Sequence, residues 1–145
     1  MSESTPVAAP VSPHQTLLPA GWPRPKGYAN GIAASGRLVV TGGIVGWDEH
    51  GRFAGADMAS QFTKTLENIL AILAEAGAGP QHVVRMTWYV TSREEYHDSL
   101  AEIGAAYRRL MGRNYPAMAV VEVSALMELE AKIEIEVTAV VPEAR

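Results

Sequence analysis

Ala131-Lys132-Ile133-Glu134-Ile135-Glu136-Val137-Thr138-Ala139-Val140-Val141 is the stretch that decides how this chain folds. Successive residues of an extended strand point to opposite faces, so Ile133, Ile135, Val137, Ala139 and Val141 share one face. The other face carries Lys132, Glu134, Glu136 and Thr138. A strand of this kind belongs to a sheet with one buried side. The same period recurs upstream in Val84-Arg85-Met86-Thr87-Trp88-Tyr89-Val90, which puts Val84, Met86, Trp88 and Val90 on one face. A further strand is expected over residues 117–126.

The buried side needs a cover, and two amphipathic segments supply it. Met58, Phe62, Leu66, Ile69, Leu70 and Leu73 recur at helical spacing behind the N-cap residue Asp57, and Gly77 closes the segment. Ser92-Arg93-Glu94-Glu95 matches a capping box, with Ser92 as N-cap and Glu95 reaching back to its amide. Behind it Tyr96, Leu100, Ile103, Tyr107, Leu110 and Met111 make a second stripe that ends at Gly112. At the front, residues 29–33 and 37–41 flank Ala34-Ser35-Gly36, which predicts a β-hairpin. The order strand, strand, helix, strand, helix, strand, strand reads as α+β: one domain, a mixed sheet and two helices packed on one face. Charged groups such as Glu134 on the opposite face point to water-lined clefts between subunits, so an oligomer is expected.

Composition narrows the function. The 145 residues fit a single domain with a real core. The absence of cysteine excludes disulfides, a thiol nucleophile, thiolate zinc and iron–sulfur ligation. A net charge of −4 gives no basic field for a phosphate backbone, so nucleic acid is not an expected partner. The apolar residues are too interrupted to span a bilayer; no membrane partner is expected, and a cytoplasmic location is. Asp48-Glu49-His50 sits on a turn with no second cluster, which reads as a solvated turn and not a metal site. His82 and His97 stand alone and read as surface histidines.

Residues 1–20, with Pro6, Pro10, Pro13 and Pro19, read as a flexible arm, which leaves 21–145 as the folded domain. Gly21 to Tyr28 is a proline-stiffened, extended lead-in carrying Trp22, Arg24 and Lys26. Thr41-Gly42-Gly43 follows a strand, and paired glycines there permit a close approach by another group.

Three stretches together resemble one family. Gly27-Tyr28 precedes the first strand, and Thr41-Gly42-Gly43-Ile44 follows the second. Tyr115-Pro116-Ala117 leads to Glu122-Val123 and then to Lys132-Ile133-Glu134-Ile135-Glu136. Over about residues 27–141 the chain resembles the RidA/YjgF family, also called the L-PSP endoribonuclease family. The resemblance implies a chorismate-mutase-like α+β fold assembled as a homotrimer, with small-molecule sites between subunits. It implies hydrolysis of enamines and imines, such as 2-aminoacrylate, to a keto acid and ammonia, with no metal or organic cofactor. In that pattern Tyr28 lines the pocket, Thr41 and Gly42 supply hydroxyl and backbone contacts, and Glu134 orients the attacking water.

One departure matters. The pattern places an arginine two residues after the proline, where it clamps the substrate carboxylate, and this chain has Met118 there. The pocket cysteine of many members is replaced by Val120. A guanidinium offers two charge-assisted hydrogen bonds of about 1.5–3 kcal/mol each, and a thioether offers neither. Two readings follow. The chain hydrolyses an enamine or imine that is larger, less anionic or anchored differently, with Arg24 or Lys26 supplying the charge and Arg85 or Arg113 as weaker candidates. Alternatively it is a non-catalytic metabolite-binding member, a sensor or chaperone-like subunit. The ribonuclease label fits poorly with the acidic balance and the lack of a basic stripe. Glu134 is expected in an apolar cleft near Met118 and Val120, whereas Glu136 reads as a solvated partner of Lys132.

Overall fold

The alternating stretch 131–141 becomes one of the two inner strands of a mixed sheet. The computed structural model describes residues 10–144. In chain order its elements are β1 (Gln15–Leu17), β2 (Gly31–Ala33), β3 (Arg37–Val40), α1 (Met58–Glu75), β4 (Val83–Val90), α2 (Arg93–Asp98), α3 (Leu100–Met111), β5 (Ala117–Glu122) and β6 (Ile133–Val141). A 3-10 turn, Pro80–His82, leads into β4. The main sheet runs β3-β6-β4-β5, with β6 antiparallel to both neighbours and β5 parallel to β4. This is the α+β arrangement expected.

One sheet face and the helices enclose the core. Phe62, Leu66, Ile69 and Leu73 of α1 meet Met86, Trp88 and Val90 of β4 and Ile133, Ile135 and Val137 of β6. Full burial of such a side chain contributes about 1.5–3 kcal/mol, so this stripe dominates the stability. Gln61 is the polar exception, 1% exposed. It donates to the carbonyls of Gly55 (3.1 Å) and Glu130 (2.9 Å) and accepts from the Lys132 amide (2.8 Å). The loop before α1 and the approach to β6 are thereby stitched to the helix.

Five local expectations change. Residues 15–17, read as part of a flexible arm, pair in antiparallel register with Ala33, Ile32 and Gly31. All three are exposed and carry no apolar pattern; backbone pairing holds them, helped by Asn114 donating to the Pro10 carbonyl at 2.9 Å. Residues 1–9 of that arm lie outside the described residues. The hairpin expected across Ala34-Ser35-Gly36 does not form either: β2 pairs with β1, and β3 joins the main sheet. Gly36 (φ 146°) lies so close to the Val141 carbonyl that no side chain fits, and this contact brings Arg37 alongside Val141.

The second helix breaks at Ser99, which caps α3. Ser92 does cap α2, accepting from the Glu95 amide at 3.0 Å, but the reciprocal half of the box is absent. Glu95 instead pairs with Lys132 Nζ at 2.7 Å and accepts from the Met58 amide at 3.3 Å, at the start of α1. On β4 a bulge at Val84 shifts the alternation by one, so Val83 is buried where Val84 was expected. Among the described residues, no helix is long and apolar enough to cross a membrane.

Candidate functional site

The residues singled out in the sequence gather at two places, on opposite faces of the sheet. The first is a cavity of about 600 Å³ between the outer strand β5 and the helices α2 and α3, with the 26–28 segment along it. Met118 and Val120 form its strand side, because they stand in register with Met86 and Trp88 and therefore face the helices. Tyr96, Ile103 and Tyr107 come from the helices, Tyr115 from the approach to β5, and Tyr28 from the lead-in. The segment bearing Tyr28 is fixed by the Ala29 amide, which donates to the Pro116 carbonyl at 2.9 Å.

Aromatic packing stiffens this wall. Trp88 lies 4.9 Å from Phe62 and 6.2 Å from Tyr107 between ring centroids, and Tyr107 stacks on Tyr115 at 5.6 Å. Tyr107 donates to the Asn114 carbonyl, and burial pushes its hydroxyl well above the ordinary tyrosine range. The indole N–H of Trp88 is buried without a partner. Lys26 and Arg108 are the cations of the lining.

The second place is a glycine bulge on the open face. Thr41 donates its amide to the Val137 carbonyl (2.9 Å), and the next ladder bond runs from Ile44 to Ile135 (2.8 Å). Three steps on one strand thus oppose two on β6, which bulges Gly42 and Gly43 outward. The Thr41 hydroxyl accepts from the Val137 amide (3.0 Å) and donates to the Gly42 carbonyl (2.8 Å), so it takes over a ladder position. Glu134 lies across the bulge: a Cβ on Gly43 would overlap its Oε2. Glu134 also lines a smaller cleft of about 270 Å³ with Tyr89, Glu136 and the apolar loop residues Val123, Leu126 and Met127. Tyr89 donates to Glu136 Oε1 at 2.7 Å, and that bond pushes its hydroxyl pKa up.

Comparison with known proteins gives this geometry a context. The family model described as Endoribonuclease L-PSP matches residues 23–141. The chain belongs to the RidA/YjgF family. A RutC family protein of Pyrococcus abyssi is 34% identical over 115 residues, covering 75% of this chain and 87% of the relative. The 2-iminobutanoate/2-iminopropanoate deaminase of Salmonella typhimurium is 30% identical over 116 residues, covering 78% of this chain and 86% of that enzyme. Among solved structures, the Rid family protein YyfB of Yersinia pestis superposes with a TM-score of 0.77 at 30% identity, covering 88% of this chain and 98% of that one. The Escherichia coli YjgF structure gives 0.62 at 29% identity, covering 87% and 98%.

In this RidA/YjgF chain the expected site residues divide into two sets. Tyr28, Lys26, Met118 and Val120 share the helix-side cavity. Thr41, Gly42 and Glu134 share the open-face bulge. Arg24 is exposed and outside the cavity lining. The expectation that Glu134 stands in a cleft near Met118 and Val120 of its own chain is therefore corrected. Glu134 pairs with Tyr89 across β6 and β4, one residue out of phase with the inward Trp88, so it faces the other way. Lys132 pairs with Glu95 and not with Glu136, whose partner is Tyr89.

Arg108 was missed among the site residues. It sits on the polar side of the α3 stripe, and only the seating of that helix beside β5 brings it to the cavity. Asp48 behaves as a turn residue, accepting from the amides of His50 (2.8 Å) and Arg52 (3.0 Å), and these bonds lower its pKa. His82 is more than a surface residue. Its Nδ1 accepts from the Gly79 amide at 2.9 Å, and burial lowers its pKa.

Proposed function

We propose that the chain hydrolyses an enamine or imine to a carbonyl compound and ammonia, in a cleft completed between copies of itself. The observation that carries this reading is the Glu134 carboxylate laid over the Gly42-Gly43 bulge. Among the described residues, the amides of these two glycines enter no backbone hydrogen bond. A carboxylate beside free N–H donors can hold a water and polarise a bound group at one spot. The water oxygen attacks the imine carbon while Glu134 takes a proton from it. Glu134 returns that proton to the nitrogen, giving an amino alcohol; it then relays the hydroxyl proton to the nitrogen as the C–N bond breaks, so ammonia leaves carrying both protons of the water and the carbonyl forms. Water supplies the oxygen, and no oxidant or reductant is consumed.

Two features support a shared site. Glu134 and the aromatic cavity belong to one chain but face away from each other, so only a neighbour can bring the two sets together. The open face also exposes apolar groups, with Leu38 at 65% and Val40 at 62%, and such a surface favours association. A homotrimer is the assembly we propose. Met118 favours a substrate other than a simple α-imino acid, because it cannot clamp a carboxylate inside the cavity.

The test couples the protein to an amino-acid oxidase fed a bulky apolar amino acid, so that the imine released is larger than a simple α-imino acid, and follows carbonyl release. Acceleration that Glu134→Gln abolishes is expected, together with gained activity on small α-imino acids in Met118→Arg. Saturable metabolite binding with no acceleration would overturn the hydrolase reading in favour of a binding subunit.

A further inference from the structure

The helix-side cavity is apolar along its strand side and carries two cations in its lining. Its strand side offers a thioether from Met118 and an isopropyl group from Val120, and neither can donate a hydrogen bond. The cations are Lys26, on the lead-in, and Arg108, on α3, and both residues are exposed, unlike the buried Trp88 and Tyr107 of the same lining. Among the described residues neither has a carboxylate within salt-bridge distance, unlike Lys132, which is occupied by Glu95. Gly104, one helical turn before Arg108, lines the same cavity. The space of about 600 Å³ lies within the range of cavities that enclose whole organic ligands, and far exceeds what a two- or three-carbon acid fills.

We infer that this cavity takes a carboxylate bearing an aryl or long alkyl group. The apolar end enters against Met118, Val120 and Trp88, and the carboxylate stays at the mouth with Lys26 and Arg108. The ligand is thus held the opposite way round from an acid clamped at position 118. This rests on reading the cavity as the substrate half of the proposed site. A ring buried among aromatic walls supplies affinity, and the exposed cations select the charge and orient the ligand.

Calorimetric titration tests it with three probes: 4-phenylbutyrate, its neutral amide 4-phenylbutyramide, and butyrate. Phenylbutyrate is expected to bind at least about 10-fold more tightly than butyrate, from burial of the ring. It is expected to exceed the amide by about 3- to 10-fold, from two rim cations. Arg108→Gln is expected to erase much of the acid-over-amide preference while leaving amide binding and the melting temperature unchanged. Lys26→Gln, which removes the other cation, is expected to weaken the same preference. Equal binding of acid and amide, equal binding of phenylbutyrate and butyrate, or no saturable binding would each overturn the inference. Binding is read here without turnover. Selective binding with no hydrolysis in the coupled assay removes the hydrolase reading alone, and hydrolysis without this selectivity removes the ligand class alone.

Discussion

Replacing Gly43 with alanine puts a methyl group where the Glu134 carboxylate lies. The new Cβ would stand 2.9 Å from Cδ and 3.2 Å from Cγ of Glu134, besides overlapping Oε2. The carboxylate must swing aside by roughly 1 Å, and a displacement of that size at a reacting group costs about 10²-fold in rate. This corresponds to about 2.7 kcal/mol in the barrier. The yielding group is the end of a flexible side chain, so the cost in stability is limited to about 0.5–1.5 kcal/mol of rotamer strain. Gly42→Ala is the internal control: its Cβ meets nothing within 4 Å, and Gly42 is not among the glycines with positive φ. Carbonyl release in the oxidase-coupled assay is expected to fall about a hundredfold for Gly43→Ala and to stay near wild type for Gly42→Ala, with both proteins folded. Equal turnover in the two variants, whether both high or both low, would refute the assignment of the bulge as the seat of a working carboxylate.

Gln61→Leu removes three hydrogen bonds from a site that is 1% exposed, and urea unfolding is expected to show a loss of about 2–5 kcal/mol. His82 has its pKa lowered by burial, so the folded state favours the neutral ring. Stability measured by denaturant titration is expected to be flat above about pH 6.5 and to fall as the pH drops below it, with a shallower fall in His82→Gln. Asp57 accepts from the Ser60 amide at 3.0 Å, and Asp57→Ala is expected to cost about 0.5–2 kcal/mol by the same titration, with α1 otherwise intact.

What could be read from the sequence follows from how local each signal is. The stripe of α1 and the alternation of β6 are set by side-chain periods within one segment, and both elements form where the pattern puts them. β1 has no such pattern, since three exposed residues held by backbone pairing leave no trace in side-chain chemistry. The Val84 bulge is hidden because Val83 and Val84 are the same residue type, so either could be the inward one. The division of the site depends on register between strands far apart in the chain. Met118 and Glu134 lie on different strands, and whether they share a face is decided only by their alignment with β4. The family motifs name residues on both faces of the sheet, and one chain does not bring them into one cleft.

The strand order has a consequence for how the molecule comes into being. β6 lies between β3 and β4, yet it is the last of the described strands along the sequence. Synthesis therefore produces β3, α1, β4, α2, α3 and β5 before the strand that joins them. Until β6 arrives, β4 and β5 can pair through their helical crossover, while β3 has no neighbour in the main sheet. Closing the sheet means pairing Arg37 with Val141, a contact of very long range and correspondingly slow to form. In the interval the inward faces of Met86 and Trp88 are only partly covered, and the unfinished chain is open to mispairing. The glycine bulge exists only once β3 and β6 have met, so the turn that seats Glu134 is among the last features of the protein to take shape.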